Sequence, residues 1–322
     1  MMKHLALGRL TLAFITTTCM FTSACGQESQ TQKNQTNTTQ KQLAQTAQTL
    51  ATKSEQAVPN STDKDWRETD PENTLYIKTK YGTFVVELYP EVAPKHVARI
   101  KKLARMKFYD DITFHRVIDD FMNQTGDPMG DGTGSSSLPD LPGEMVFRRS
   151  PDEMKMTLIG EALSPVGTVE TGFYKALPIG SKPSGQAWMT KDGKVDAFGM
   201  HCKGVASMAR GEDINSANSQ FFLMRAAYPS LNAKYTVWGT TVYGRDALTK
   251  IKTGTVGETP NFIPDRMESV RVEADIPEKE RIPVQILRTD SQAFADYVKS
   301  IKAKIGKTPG ICDVEVPTRL KK

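Results

Sequence analysis

The chain has 322 residues, of which 25% are charged and 38% hydrophobic, so it is long enough for one large domain or two ordinary ones with a buried core. Its formal net charge of +5 is small for this length, and basic residues are interleaved with Asp and Glu, which argues against a nucleic-acid-binding surface. Neither a metal nor a cofactor is predicted, because no zinc-ligand spacing joins the isolated histidines His4, His96, His115 and His201.

Residues 1–24 are predicted to be an export signal. A basic start is followed by an apolar stretch at 10–21 that is too short to span a bilayer comfortably. The small residues that follow lead into Cys25 and resemble the cleavage site of a bacterial lipoprotein, although Thr22 stands where such sites usually have Leu. Cys25 is therefore the predicted lipidation site. Cleavage and secretion without a lipid, or an uncleaved anchor, are the alternatives.

Residues 25–64 are predicted to be the lipidation site and a disordered tether. Gln, Thr, Ser, Asn and Ala dominate this segment, and large apolar side chains are almost absent. Such a segment cannot bury enough surface to offset the entropy lost on ordering. We therefore expect a folded part, starting at residue 65, that a lipid anchor holds to a membrane of the cell envelope on the periplasmic side.

Alternating apolar residues predict a β-hairpin at the start of the folded part. The alternation covers residues 75–79 and returns at 84–88 after Tyr81-Gly82. Pro94 then opens a predicted helix, whose basic face, which includes Arg99, is expected to lie in solvent. Short strand-like runs and one more short helix follow, the strands at 113–118, 204–209, 219–224, 235–239 and 270–274 and the helix at 244–252. This pattern predicts a mainly β fold, either a barrel or a sandwich.

Three blocks of sequence resemble the cyclophilin family of peptidyl-prolyl cis/trans isomerases. They are FHRVIDDFMNQTGDP at 114–128, GVASMA at 204–209 with NSQFF at 218–222, and LNAKYTVWG at 231–239. The resemblance covers roughly residues 73–275, with one long interruption. It implies a closed eight-stranded antiparallel barrel capped by two helices, and an enzyme that rotates the peptide bond before proline.

The resemblance also implies the site residues. Arg116 matches the family's catalytic arginine, and Gln124 is expected to steady it. The substrate-binding groove is expected to be formed by the other matched positions, Phe121, Met122, Ala209, Gln220, Phe222, Leu231 and Tyr235. Taken singly, the apolar residues could be ordinary core residues. Arg116 taken singly could form an ion pair with a nearby aspartate such as Asp119.

Three positions depart from the family's common pattern. Ser230 stands where many members have Trp, Tyr235 replaces a common His, and Arg210 stands where Asn is usual. The missing Trp removes a large apolar wall and an indole donor. We therefore expect weak cyclosporin binding with isomerisation retained.

Two segments are additional to a compact cyclophilin. Residues 145–202 interrupt the barrel region, 65–275, and are expected to be an ordered excursion packed on one side of it or a partner-binding loop. Residues 276–322 are expected to be an extension docked on the barrel, with a strand at 284–287, a helix over 291–304 capped by Asp290, and a last strand at 311–316.

The two cysteines outside the export signal and lipidation site, Cys202 and Cys312, are predicted to form a disulfide, since an exported protein meets an oxidising environment. Two buried, inert thiols are the alternative. The sequence as a whole predicts a monomeric isomerase that acts on proline-containing segments of exported proteins. A non-catalytic module that binds such segments is the alternative, and a structural envelope protein is a third hypothesis.

Overall fold

The computed structural model describes residues 58–164 and 167–321, all of which belong to one unit, residues 51–322. The predicted export signal, Cys25 and the tether up to residue 57 lie outside the described residues. Within the two described ranges, every helix falls short of the combination of length and apolar character that a membrane-spanning helix needs.

The described residues form short strands and three α-helices. In chain order the strands are β1 (Trp66–Glu68), β2 (Thr74–Thr79), β3 (Gly82–Leu88), β4 (Arg116–Ile118), β5 (Met122–Thr125), β6 (Phe147–Arg149), β7 (Thr157–Ser164), β8 (Gly167–Tyr174), β9 (Leu177–Ser181), β10 (Val195–Gly199), β11 (Val205–Met208), β12 (Phe221–Met224), β13 (Val237–Tyr243), β14 (Gly254–Thr255), β15 (Ser269–Val272), β16 (Val284–Leu287) and β17 (Thr318–Leu320). The helices are α1 (Pro94–Arg105), α2 (Arg245–Leu248) and α3 (Gln292–Ile305). The prediction of a mainly β fold with few helices is confirmed.

The largest sheet is antiparallel and has nine strands in the order β14-β4-β5-β12-β11-β13-β3-β2-β15. It curls into a half-barrel. The predicted hairpin is confirmed as β2 and β3, and each of the five strand runs predicted between residues 113 and 274 overlaps a strand of this sheet. Apart from the neighbours β4 and β5, most pairing partners beyond this hairpin come from distant parts of the chain, so the strand order was not visible in the sequence.

One face of this sheet packs on α1 and α2 and forms a closed apolar core. Phe84, Ile100, Phe221 and Trp238 are among its fully buried side chains. Arg99 of α1 also lies at this interface, contrary to the prediction that it faces solvent. Its guanidinium donates to the carbonyl oxygens of Asn218 (3.2 Å) and Pro139 (2.6 Å), so the burial is offset by hydrogen bonds.

Residues of the predicted insertion form a second antiparallel sheet, in the order β6-β10-β9-β8-β7. Its apolar side chains, such as Phe173 and Phe198, share one core with the other face of the nine-stranded sheet. The two sheets approach closely at Gly199 of β10, where a Cβ would clash with Cβ of Val237 in β13. A side chain at this position would therefore push the two sheets apart.

The C-terminal extension contributes β16, β17 and α3, and its two strands form a third sheet with β1 from the start of the described chain, in the order β1-β16-β17. Strand β16 and the helix agree with the predicted ranges to within one residue. The predicted cap Asp290 is wrong: Ser291 is the N-cap, and its hydroxyl accepts a hydrogen bond from the backbone N–H of Phe294 at 3.1 Å. The side chain of Asp290 instead pairs with Arg288.

The predicted last strand at 311–316 is also wrong. Ile311–Asp313 is a 3-10 helix, and the final strand is β17, after Pro317. Ile311, Val314 and Val316 are all buried, a spacing that does not follow the two-residue repeat of a strand. Within this segment Cys312 is joined to Cys202 by a disulfide, with a Cα–Cα distance of 5.0 Å.

Candidate active site

A row of paired residues crosses four strands on the face of the nine-stranded sheet opposite α1. Arg116 on β4 lies opposite Gln124 on β5, which lies opposite Phe222 on β12, which lies opposite Ser207 on β11. Directly opposed residues of antiparallel strands project to the same face. Sheet register therefore places a guanidinium, an amide and an aromatic ring side by side.

The half-buried Arg116 makes few contacts. Its Nη1 donates to Oε1 of Gln124 at 3.2 Å, and its guanidinium carbon lies 5.9 Å from the ring centroid of Phe121. Within the described residues no ion pair involves Arg116, and Asp119 instead accepts a hydrogen bond from Arg225 at 2.8 Å. Most of the guanidinium donors of Arg116 thus remain open to a ligand.

A chain of amides fixes Gln124. Its Nε2 donates to Oε1 of Gln220 at 3.0 Å, and Nε2 of Gln220 donates to the carbonyl oxygens of Gly132 and Gly134, both at 2.9 Å. Because Gln124 uses its NH₂ group toward Gln220, its oxygen faces Arg116. The 132–134 loop thereby orients the arginine through two intermediate side chains.

The apolar groove candidates lie in one cluster. Met122 and Phe222 are buried, with 1% and 6% of their surface exposed. The edge of one ring meets the face of the other between Phe222 and Tyr235, at a centroid distance of 5.7 Å. The remaining candidates, Phe121, Ala209 and Leu231, are half-buried against the same cluster. The structure thus brings all nine candidate residues, from Arg116 to Tyr235, to the same face of the sheet.

His201 lies behind this cluster and was not predicted as a site residue. Its ring stacks on Phe222 at 6.0 Å, Nε2 lies 3.1 Å from Oγ of Ser207, and its backbone N–H donates to Oδ1 of Asn232 at 2.8 Å. Burial lowers the pKa of His201 to about 4, so the ring is neutral at physiological pH. An isolated histidine carries no signal in the sequence for such a supporting position.

Tyr228 is a second residue that the sequence did not single out. Its ring lies 4.5 Å from that of Phe121, centroid to centroid, and is partly exposed. It comes two residues before Ser230, which replaces the usual Trp of the family. An aromatic residue so close in sequence to the groove candidate Leu231 could have indicated that Tyr228 lies near the groove.

Comparisons with known proteins identify the family of the chain. The family model described as "Cyclophilin type peptidyl-prolyl cis-trans isomerase/CLD" matches residues 74–272. A protein of Brucella suis named "Probable peptidyl-prolyl cis-trans isomerase" is 37% identical over 218 residues, covering 64% of this chain and 85% of that one; its Brucella abortus counterpart is 36% identical over the same length and shares.

Among solved structures, the chain is similar to a cyclophilin from Hirschia baltica. The TM-score is 0.72 at 34% identity, with 80% of this chain and 94% of the other covered. The family match includes all nine candidate residues between Arg116 and Tyr235. The chain belongs to the cyclophilin-type peptidyl-prolyl cis-trans isomerases, enzymes that interconvert the two forms of the peptide bond before proline.

Proposed function

We propose that Arg116 is the catalytic residue and that the groove beside it holds the proline ring of a peptide. The observation that carries this proposal is the row of Arg116, Gln124 and Phe222, in which a fixed donor lies next to an apolar ring surface. Met122, Phe121 and Leu231 would enclose the proline, while Gln220, Ala209 and Tyr235 would contact the peptide around it.

The chemistry needs no covalent intermediate. Amide resonance makes the barrier to rotation about 18–20 kcal/mol. In the twisted transition state the prolyl nitrogen is pyramidal and carries a localised lone pair, which the planar amide lacks. A hydrogen bond from Arg116 to this nitrogen forms only in the twisted state, so it stabilises the transition state more than the bound substrate. The Gln124–Gln220 chain lowers the cost of positioning the guanidinium.

The test compares Arg116→Ala with the unchanged chain in catalysed cis-to-trans isomerisation of a short X-Pro peptide. We expect kcat/KM to fall by about 10²–10³, as when a transition-state donor is removed elsewhere. Arg288→Ala is the control. Arg288 is exposed, pairs with Asp290 and belongs to the C-terminal extension rather than to the nine-stranded sheet that carries the groove. Arg116→Ala with unchanged kcat/KM would reject this role.

The curled sheet, in our proposal, closes into the barrel that the family resemblance implies. Two backbone hydrogen bonds support closure, from Phe114 N–H to the Asp265 oxygen at 2.8 Å and from Met267 N–H to the Ile112 oxygen at 2.9 Å. Between them, Thr113 and Arg266 form an isolated bridge. These contacts join the segment before β4 to the segment before β15.

The protein, we further propose, is exported, lipidated at Cys25 and held on the periplasmic side of a membrane, where it acts as a monomer on proline-containing segments of exported proteins. Its barrel region would run from residue 65 to 275, interrupted by the insertion at 145–202 and followed by the docked extension at 276–322. The signal-like residues 1–24 and the Cys202–Cys312 pair support an oxidising destination. Labelling of cells with a clickable fatty acid tests this: the unchanged chain should be labelled and Cys25→Ser should not.

A further inference from the structure

Arg210 stands at the end of the groove opposite Arg116. It follows Ala209 just after β11, and β11 lies on the side of β12 away from β5 and β4. Its guanidinium carbon is 4.8 Å from the ring centroid of Tyr235, whose edge-to-face partner is Phe222. The two arginines therefore flank the proposed proline pocket.

Backbone carbonyl groups hold the Arg210 guanidinium in place. Nε and Nη2 donate to the carbonyl oxygen of Lys234 at 3.3 and 3.2 Å, and Nη1 donates to those of Gly211 (2.8 Å) and Glu212 (3.2 Å). Four such bonds and the ring beneath leave the planar group little freedom. Its position is thus fixed before any peptide binds, which reduces the entropy lost on binding.

The charge of this guanidinium is not matched by a carboxylate. Among the ion pairs of residues 58–164 and 167–321, none involves Arg210. Glu212 accepts from Arg210 only through its backbone oxygen, and the carboxylate of Asp213 accepts from the backbone N–H of Asn215 at 2.9 Å. The nearest residue on the other side, Lys234, is itself basic. One wall of the groove therefore presents a rigid positive group.

We propose that Arg210 is a specificity-determining residue that favours peptides with Asp or Glu within about three residues of the proline. Two ring contacts, through Phe222 and Tyr235, separate the pocket from the guanidinium, and an extended peptide covers that span in about three residues at roughly 3.3 Å each. A carboxylate there meets a donor that is already oriented. This inference rests on the proposed proline pocket.

The test measures kcat/KM for peptides that carry Glu, Gln or Lys in turn at each of three positions before and after a single proline. At one or more positions we expect the kcat/KM of the Glu peptide to exceed that of the Gln peptide by about two- to fivefold, which is the range of partly exposed ion pairs. The kcat/KM of the Lys peptide should be lower than that of the Gln peptide. The preference should weaken as the salt concentration rises.

In Arg210→Gln the kcat/KM of the Glu peptide should equal that of the Gln peptide. Arg210→Lys should keep part of the preference for the Glu peptide. Lys102→Gln removes the same charge from an exposed position on α1 and should leave the ratio unchanged. A purely structural role for Arg210 would lower the rates of all three peptides alike and keep their ratio. That result, or equal rates for Glu and Gln in the unchanged chain, overturns the inference but not the role of Arg116. No turnover of any peptide overturns both.

Discussion

The two faces of the nine-stranded sheet are built from different parts of the chain, and two consecutive residues of β12 show the difference. Phe221 packs edge-on against Tyr109 and Trp238, at 5.4 and 5.5 Å, in a core that, among the described residues, draws nothing from the insertion or the extension. Phe222 faces the other way, against Tyr235 and His201.

The core behind Phe222 continues into both additional segments. It includes Phe173 of the insertion and Phe294 of α3, whose rings lie 5.8 Å apart. The face that packs on α1 and α2 thus has a core of its own, while the face that carries the groove shares its core with residues of the insertion and the extension. Substitutions on the two faces should therefore separate stability from activity.

Among the substitutions that compare the two faces, Phe221→Ala and Phe222→Ala are expected to have the largest effects. Removing the fully buried Phe221 ring should lower the free energy of unfolding by about 3–5 kcal/mol. The kcat/KM of the remaining folded protein should be unchanged. Phe222→Ala should instead reduce kcat/KM at least about tenfold, because a wall of the proposed proline pocket is lost. Denaturant titration and isomerase assays of both variants check this. Equal losses of kcat/KM in the two variants would show that the two faces do not differ in their role in activity.

Reduction of the Cys202–Cys312 disulfide should destabilise the protein through the groove-bearing side, where both cysteines lie. The bond joins residues 110 positions apart, so its loss should lower the free energy of unfolding by about 2–5 kcal/mol. Guanidinium titrations with and without reductant measure this. Cys312→Ser serves as the control, since its stability should not respond to reductant. An unchanged midpoint for the reduced native chain would show that the extension holds without the bond.

Acidification should act on the same side through His201. Its pKa of about 4 in the folded state lies below the value of about 6.5 in an unfolded chain. Between these values only the unfolded chain binds the proton, so the free energy of unfolding should fall by up to about 3 kcal/mol as the pH drops from 6.5 to 4. His201→Gln should show a shallower loss in this window. Identical pH profiles of the free energy of unfolding in the two proteins would show that His201 does not cause the loss of stability.

The smallest effect concerns the start of α3. Ser291→Ala removes the hydroxyl that caps the helix and should cost about 1 kcal/mol. Asp290→Ala removes an exposed ion pair with Arg288 and should cost less than half as much. Thermal unfolding of the two variants ranks them. A larger loss for Asp290→Ala would restore it as the cap.

The sequence predicted the parts of this fold that depend on near neighbours. The β2–β3 hairpin and α1 followed from periodicity, because their apolar faces repeat every two or about 3.6 residues. The prediction of a solvent-exposed Arg99 was wrong, because its partners Asn218 and Pro139 belong to loops that no local pattern connects to α1. The insertion sheet was not predicted because its strands are rich in Gly and Thr and many of their residues are only half-buried.

The site was predictable only as a set of residues. The family blocks gave Arg116, Gln124 and Phe222, but the register that aligns them spans more than a hundred residues of sequence. His201 and Tyr228 were missed because each acts through a ring contact to a distant residue. Such contacts leave no spacing rule in a single sequence.

The pairing of β1 has a consequence for how the chain folds as it is made. Trp66 lies opposite Leu287, and the guanidinium of Arg319 lies 4.5 Å from the centroid of the Trp66 ring. Synthesis proceeds at about 5–20 residues per second, so the roughly 220 residues between the partners take about 10–40 s. Throughout that interval the first strand emerges without its neighbours. The core that packs on α1 and α2 waits almost as long, because Val270 and Val272 of β15 are among its buried residues. Neither core can therefore be completed until most of the described residues have been made.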